Sequence, residues 1–462
     1  MPNHADKILS KFCISILLIV VPGFSVAEQG INPKLTPVGA IAAGNADGTI
    51  PPWTGGLPRA DIDPSAGIAD PFSEDENLFT VSAGNLGPYA ENLSAGQLAM
   101  LEAYPDSYQM PVYPSRRSAS YPNYVYEALN NNRRSAELIS SEGRHGVRNS
   151  IITSPFPEPE NGLEAIWNHL MRWRGILVER QTSWVPVTRG GRYRPILLQE
   201  EIAFPYASPD YSTTTVEESG QLTHIPEYRR AMIAIKQKFL SPGSVAGGGS
   251  LIYDTYDYSR YGRIRWIYPA NLKRVIRMPT AKLDQPITGT EGIIGLDDQD
   301  MYRGSPEMFE WSLEPVRELL IPYNGYRLKD RGLQFDDLID RHHLNQTRTR
   351  YELHRVWPVV ATAKPGSGSR YARRIFYLDE DTWQIALSEK YDQEGNLVMF
   401  AESHILNYYH VPVPYPGITA HYSLEDGRFL IQNIDNMLTP HRWLDEINPR
   451  EFSPNALLDY IR

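Results

Sequence analysis

Apolar and polar positions alternate along much of this chain, and the departures from alternation set its plan. In Arg263-Ile-Arg-Trp-Ile-Tyr268, Ile264, Trp266 and Tyr268 fall on one face of a strand, against Arg263, Arg265 and Ile267. Between Tyr371 and Leu387 both faces are apolar. Ile375 and Tyr377 point one way and Phe376 and Leu378 the other. The turn Asp379-Glu380-Asp381 and a returning strand, Thr382–Leu387, follow. A surface hairpin covers one face and wets the other. This one has two apolar faces to cover, one for a core and one for a helix, a partner or an apolar ligand.

The remaining elements follow from the same periodicities. Ser94 caps a short helix striped by Leu98 and Leu101, and a second helix follows Pro122 through Val125, Tyr126 and Leu129. A third runs over Asn161–Arg174, with Leu163, Ile166, Trp167, Leu170 and Met171 at spacings of three and four, and Gly175 closes it. Strands are expected over 194–204, 231–235 (where a helix from Glu227 is the rival reading), 251–258, 261–268, 272–278, 309–313, 318–321, 350–361, 388–391, 397–406, 420–424 and 429–434. Short helices are expected over 335–341 and 454–460. The fold class is mainly β (α+β): an antiparallel meander joined by short polar turns, with few helices. A twisted sheet with this many strands curls and makes a concave face, across which Asn161–Arg174 can lie.

The N-terminus does not belong to this pattern. Lys7 and Lys11 precede an apolar run from Phe12 to Val21, Pro22-Gly23 break it, and Ser25-Val26-Ala27 supplies small residues for cleavage. That is the order of a secretory signal peptide over residues 1–27, too short in its apolar part to span a bilayer. The chain's one cysteine, Cys13, lies inside the signal, so the mature chain has no disulfide or thiolate chemistry. Export without disulfides fits a bacterial periplasm, in a form not anchored by lipid. Residues 28–90, rich in Gly, Pro, Asn and Asp, read as an extended arm with Trp53 as its buried anchor. Residues 91–462 read as one large curved-sheet domain with helical insertions.

A formal charge of −10 argues against nucleic acid as partner, since phosphate recognition needs basic groups. No catalytic constellation has a specific spacing: there is no Gly-rich phosphate loop and no His-Glu-x-x-His. Asp297-Asp298-Gln-Asp300 lacks the ligand pattern of a calcium loop and reads as a solvated acidic turn. His342 and His343 are adjacent and diverge, and His404, His410, His421 and His441 show no ligand spacing. On a strand Glu402 and His404 share a face while Ser403 points away, which breaks the order a triad needs. No catalytic residue, metal ligand or cofactor is assigned. The aromatics on expected strands, Trp266, Tyr268, Phe376, Trp383 and Phe400, are the candidate ligand-binding residues. Each has ordinary core packing as its competing role.

Several segments resemble one family. They are Leu35-Thr-Pro-Val-Gly39-Ala with Ala43-Gly-Asn-Ala-Asp-Gly48 and Pro52-Trp53; Gln109-Met-Pro-Val-Tyr-Pro114; Pro155-Phe-Pro157 with Asn161-Gly-Leu-Glu-Ala-Ile-Trp-Asn-His-Leu170; and Tyr351-Glu-Leu-His-Arg-Val-Trp357 with the two-faced hairpin. Together they resemble the domain-of-unknown-function 1329 family of proteobacteria across nearly the whole mature chain. The resemblance implies a fold like the lipoprotein carriers LolA and LolB, a strongly curved, unclosed antiparallel barrel with helices as a lid. It also implies a periplasmic setting beside an RND-type transporter and an outer-membrane β-barrel, with peripheral membrane contact. Three functions follow as expectations: a carrier for a lipid or other hydrophobic molecule, a structural adaptor of an envelope transport complex without a small ligand, and a hydrolase of unfamiliar type.

Overall fold

The computed structural model describes residues 34–63, 67–141, 144–209, 228–256, 258–279 and 285–462. The leader expected over residues 1–27 lies outside them. Pro33–Arg462 form one unit.

Among the described residues seventeen strands make one sheet. In chain order they begin with β1 (Phe79–Val81) and β2 (Met110–Val112); β3 (Glu137–Ser141) and β4 (Arg144–Arg148) form a hairpin apart from it. The sheet continues with β5 (Leu177–Val187), β6 (Ile196–Ala203), β7 (Ala231–Ser241), β8 (Gly249–Thr255), β9 (Ile264–Tyr268) and β10 (Ile276–Met278). It is completed by β11 (Phe309–Leu313), β12 (Arg317–Pro322), β13 (Tyr351–Ala363), β14 (Arg373–Asp379), β15 (Ile385–Tyr391), β16 (Leu397–Tyr408), β17 (Val413–Ser423), β18 (Phe429–Ile434) and β19 (Arg442–Leu444). From β5 to β10 each strand pairs with the next, and so does each from β12 to β18. β18 pairs with β5 and joins the two runs. All these pairs are antiparallel; among the described residues the parallel steps are Tyr351↔Val112, between β13 and β2, and the isolated bridge Tyr323↔Ile405. Among the described residues no pairing links β10 to β11 or β12, so the sheet is unclosed.

The sheet is also strongly curved. Tyr323, just past β12, bridges Ile405 on β16. Four strand spacings in a flat sheet would separate β12 from β16 by roughly 19 Å. A direct bridge therefore requires the intervening strands to roll up. The roll encloses a core containing Leu319, Ile321, Tyr377, Leu387, Phe400 and Ile405. Helix α1 (Ala95–Ala103) adds Met100 and Leu101 to it. Ser94 caps α1, its hydroxyl accepting from the Gln97 amide at 3.2 Å while the Gln97 side chain accepts from the Ser94 amide at 2.9 Å.

The opposite face carries another core, built on helices α2 (Asn123–Ser135) and α3 (Gly162–Met171). Asn161 caps α3 by accepting from the Glu164 amide at 3.0 Å. The helix packs backbone to backbone on β11: a Cβ on Gly162 would lie 2.6 Å from the Ser312 carbonyl oxygen. Ile166, Trp167, Leu170 and Met171 share this core with Phe376, Leu378 and Ile385. The two-faced hairpin is thus explained: Phe376 and Leu378 serve one core, while Tyr377 and Leu387 serve the other. A third core under the C-terminal helix Pro454–Ile461 takes Trp266, Tyr268, Tyr253 and Leu457.

Four expectations need correction. The hairpin turn is longer than Asp379–Asp381: β15 begins at Ile385, and Trp383 sits in the turn with φ +58°. That conformation is rare for a bulky residue. It is held by the indole N–H donating to the Val38 carbonyl at 3.0 Å and by stacking on Trp357 at 6.0 Å. The stretch Asp297–Asp300 is not a solvated turn. Asp297 and Asp298 are buried and paired with Arg374 and Lys390, and Asp300 takes Arg172 and Arg174. Trp53 is half-buried rather than buried, edge-on to Tyr126 at 6.3 Å. Finally, β5 is a strand that the apolar pattern did not announce.

Candidate functional site

The missed strand β5 borders a gap in the ladder between β18 and β19, distinct from the open edge at β10. Its second half pairs with β18, down to Ser183 opposite Ile434. Its first half pairs with β19, beginning at Glu179 opposite Arg442. Three residues of β5, 180–182, therefore face seven of the other segment, 435–441, with no ladder between them. A cleft of about 400 Å3 opens beside this mismatch.

One side of the cleft is aromatic. Trp443 is half-buried and packs on Tyr408 at 4.5 Å and His410 at 6.0 Å, while its indole N–H donates to the Arg174 carbonyl at 3.2 Å. That hydrogen bond fixes the ring, and its exposed part lines the cleft alongside Val411, Pro440 and Tyr460. His441 stacks on Tyr408 at 5.6 Å, and its Nε2 lies 3.2 Å from Asp435. Burial pushes the His441 imidazole down to about 3, so it is a neutral ring at physiological pH.

The other side is polar and ion-paired. Arg180 donates to Glu200 from Nε at 2.8 Å, and Glu200 also accepts from Gln237. Burial works against the Arg180 charge, but the Glu200 carboxylate more than offsets it, so the guanidinium stays charged. Arg442 pairs with Glu179, and Lys236 with Glu201 at 2.8 Å. The Arg180–Glu200 pair also lines a smaller cavity of about 60 Å3, together with Arg174, Asp300 and Arg303. Polar residues at the middle of β5 and β6 thus serve the cleft wall. The same composition hid β5 from a reading based on alternation.

The five aromatics named as ligand candidates do not converge. Phe376 and Trp383 lie in the core under α3, Phe400 in the core around α1, and Trp266 and Tyr268 in the core under the C-terminal helix. None is more than 9% exposed and none lines the cleft. Trp266 packs on Tyr253 at 5.1 Å and Phe400 on Tyr422 at 6.0 Å. Trp443 and His410, which do line the cleft, lie in a three-residue strand and a tight turn respectively, where no periodicity marks them. The available signal was compositional: Pro440-His-Arg-Trp443 collects an imidazole, a guanidinium and an indole in four residues.

Glu402 and His404 do share a face, 3.7 Å apart, with both side chains fully buried. Glu402 accepts from Tyr351 at 2.9 Å and Tyr422 at 3.0 Å, and the Ser403 hydroxyl is buried without a hydrogen-bond partner. The group is a core network with no route to substrate, not a triad. His343 is spent on the Leu344 carbonyl and the Ser107 hydroxyl. Among the described residues no helix is long and apolar enough to cross a membrane.

A mostly β, unclosed sheet with this chain's sequence belongs to the family described as protein of unknown function DUF1329, whose pattern matches residues 80–458. A Pseudomonas aeruginosa relative, "uncharacterized protein PA3922", is 39% identical over 435 residues, 94% of this chain and 92% of its own length. Similar solved structures include a putative outer membrane lipoprotein-sorting protein domain from Vibrio parahaemolyticus (TM-score 0.41, 13% identity, 61% of this chain and 92% of that one). Another is a DUF1329 family protein from Desulfovibrio piger (TM-score 0.38, 14% identity, 61% and 92%). A third is the LolA superfamily protein NE2245 from Nitrosomonas europaea (TM-score 0.35, 11% identity, 62% and 93%).

Proposed function

We propose that this chain is a periplasmic binding protein that carries one amphipathic molecule in the cleft between β5, β19 and the turn at His410. The observation that carries the reading is the gap in the ladder beside β5, which joins an aromatic side to an ion-paired side in one cleft of about 400 Å3. Small-molecule sites commonly occupy roughly 300–1,000 Å3 and combine an apolar lining with a few polar groups. An apolar tail lies against Trp443, Val411 and Pro440, and a polar head meets Arg442, Arg180 or the carboxylates beside them.

The faces of the sheet are filled by side chains, so the cargo is small: one chain of about ten methylenes rather than a multiply acylated protein. Burying that chain gains on the order of 8 kcal/mol gross. Association costs at least about 4 kcal/mol of it. The remainder, at most about 4 kcal/mol, corresponds to roughly millimolar affinity from the chain alone, so anything tighter rests on the contacts of the polar head, and weak holding suits a carrier that must release its cargo. The leader read in residues 1–27 supports the periplasmic setting. The RND-type transporter and outer-membrane barrel implied by the resemblance take the roles of cargo source and acceptor.

The test is titration of the purified chain with a fluorescent fatty acid. Saturable binding near one equivalent, weakened about tenfold or more by Trp443→Ala, supports the reading. Binding unchanged in Trp443→Ala places the ligand elsewhere. No binding by the wild-type chain favours the adaptor without a small ligand.

A further inference from the structure

The hairpin turn after β14 holds a cluster that the cleft does not use. Asp379, Glu380 and Asp381 are each no more than 2% exposed. Buried carboxylates need partners. Asp381 has the Arg117 guanidinium on both oxygens, Nε at 2.8 Å and Nη2 at 2.7 Å. Glu380 has Arg355 Nε at 2.9 Å and the Ile41 amide at 3.0 Å. Asp379 has no guanidinium contact among the described residues. Its one carboxylate oxygen accepts from the Thr382 hydroxyl at 2.7 Å, and the other, Oδ1, is buried without a hydrogen-bond partner.

His354 on β13 faces that oxygen, its Nδ1 3.8 Å from Asp379 Oδ1. The imidazole is aimed from behind. Nε2 lies 3.0 Å from Glu352 Oε2, and the ring stacks on Tyr323 at 4.0 Å. A carboxylate only accepts, so Nε2 carries the hydrogen and Nδ1 is the nitrogen turned towards Asp379. Glu352 is held in turn by Arg350 at 2.6 Å and Asn324 at 2.9 Å. Ligand atoms of His354, Asp379 and Asp381 lie within 4.8 Å of one another.

We infer that His354 Nδ1, Asp379 Oδ1 and a carboxylate oxygen of Asp381 form a site for a first-row divalent cation, zinc or manganese by the nature of the donors. Metal–nitrogen and metal–oxygen bonds to zinc run about 2.0–2.2 Å, so 3.8 Å between two donor atoms fits an ion placed between them. A carboxylate backing a ligating imidazole is the usual outer support of such sites, and Glu352 supplies it. Arg117 leaves lone pairs on Asp381 for the metal, since each carboxylate offers about four acceptor positions. Mixed imidazole and carboxylate donors select transition metals over magnesium or calcium. The cation ties β13 to the turn, and the N-terminal arm is tied to the same turn. Arg117 and Arg355 both donate to the Ile41 carbonyl, and the Trp383 indole donates to Val38. The site's role is therefore to lock the arm onto the sheet.

The test is elemental analysis of the full chain, purified without chelator from cells supplied with zinc and manganese. Asp379→Asn is analysed in parallel; it keeps the shape, removes the charge and replaces a carboxylate donor with a weaker amide oxygen. The expected result is about one equivalent of zinc or manganese on the wild-type chain and loss of it in Asp379→Asn and in His354→Gln. Heating the wild-type chain with a strong chelator should lower its Tm and leave that of Asp379→Asn unchanged. A wild-type chain carrying no metal overturns the inference and assigns a proton to Asp379 instead. Equal metal in the wild type and Asp379→Asn also overturns it, because the ion then lies elsewhere.

Discussion

Phe376→Ala distinguishes a filled sheet from a cargo-lined one. The ring is fully buried, 5.2 Å from Tyr302 and 6.2 Å from Trp311. An aromatic side chain buries roughly 150–250 Å2. At about 25 cal/mol per Å2 that is about 4–6 kcal/mol, close to the ~3–5 kcal/mol seen when buried phenylalanines are truncated. The substitution should therefore lower the free energy of unfolding by about 3–5 kcal/mol, read from the denaturant midpoint at unchanged slope. The control is Tyr377→Phe on the opposite face. Its hydroxyl is 3.4 Å from Glu389, which Tyr391 at 2.8 Å and the Gly96 amide at 2.8 Å also serve. Losing it should cost no more than about 1 kcal/mol. A cost under about 1 kcal/mol for Phe376→Ala, with tighter binding of apolar probes, would refute the reasoning and return Phe376 to a ligand wall.

Other outcomes follow from the same contacts. Gly162→Ala places a methyl 2.6 Å from the Ser312 carbonyl oxygen, where only backbone can yield, and should destabilise by about 1–3 kcal/mol in the same denaturation assay. Burial, and after it the charge of Lys390, pushes the His421 imidazole down to about 4. A lowered histidine pKa means the unfolded chain takes up the proton first. The contribution is complete above about 6.5 and is lost as pH falls towards 4. The stability difference between the wild type and His421→Gln should therefore shift against the wild type by about 2 kcal/mol from pH 7.5 to pH 5. Arg442→Glu sets two acids opposite each other where Arg442 now pairs with Glu179. On the cleft reading it should weaken binding of an anionic amphiphile about tenfold and leave a neutral one unchanged in fluorescence titration.

The hairpins, the capped helices and the curl of the sheet were legible because each has a periodicity that backbone geometry imposes. Asn161 before Leu163, Ile166, Trp167 and Leu170 is enough for α3, and the doubled apolar parity at Ile375–Leu378 correctly required two covered faces. Alternation fails as a signal where function or burial replaces it. In β5, Glu179-Arg-Gln-Thr-Ser183 is polar because it faces a cleft on one edge and ion pairs on both sides. In β17, Pro414 and Pro416 break the pattern of a strand. The strand tolerates them because β18 pairs only with its later part, Thr419–Tyr422, and the register against β16 shifts at Ile405. The acidic run 297–300 read as a solvated turn, and the burial of the hairpin turn 379–381 left no mark in the sequence, because their partners lie far away in the chain. Arg374 and Arg117 are 77 and 264 residues from the acids they neutralise. Trp443 and His410 line a cleft that lies beside the seven-against-three mismatch at β5, a property of register that one sequence does not display.

The most direct measurement on the proposed function is photo-crosslinking of the full chain with a diazirine-bearing fatty acid, followed by peptide mapping. The account predicts labels on residues 408–411 and 439–443 and on the middle of β5. Labels on Phe376, Phe400 or Trp266 with none at Trp443 would contradict it.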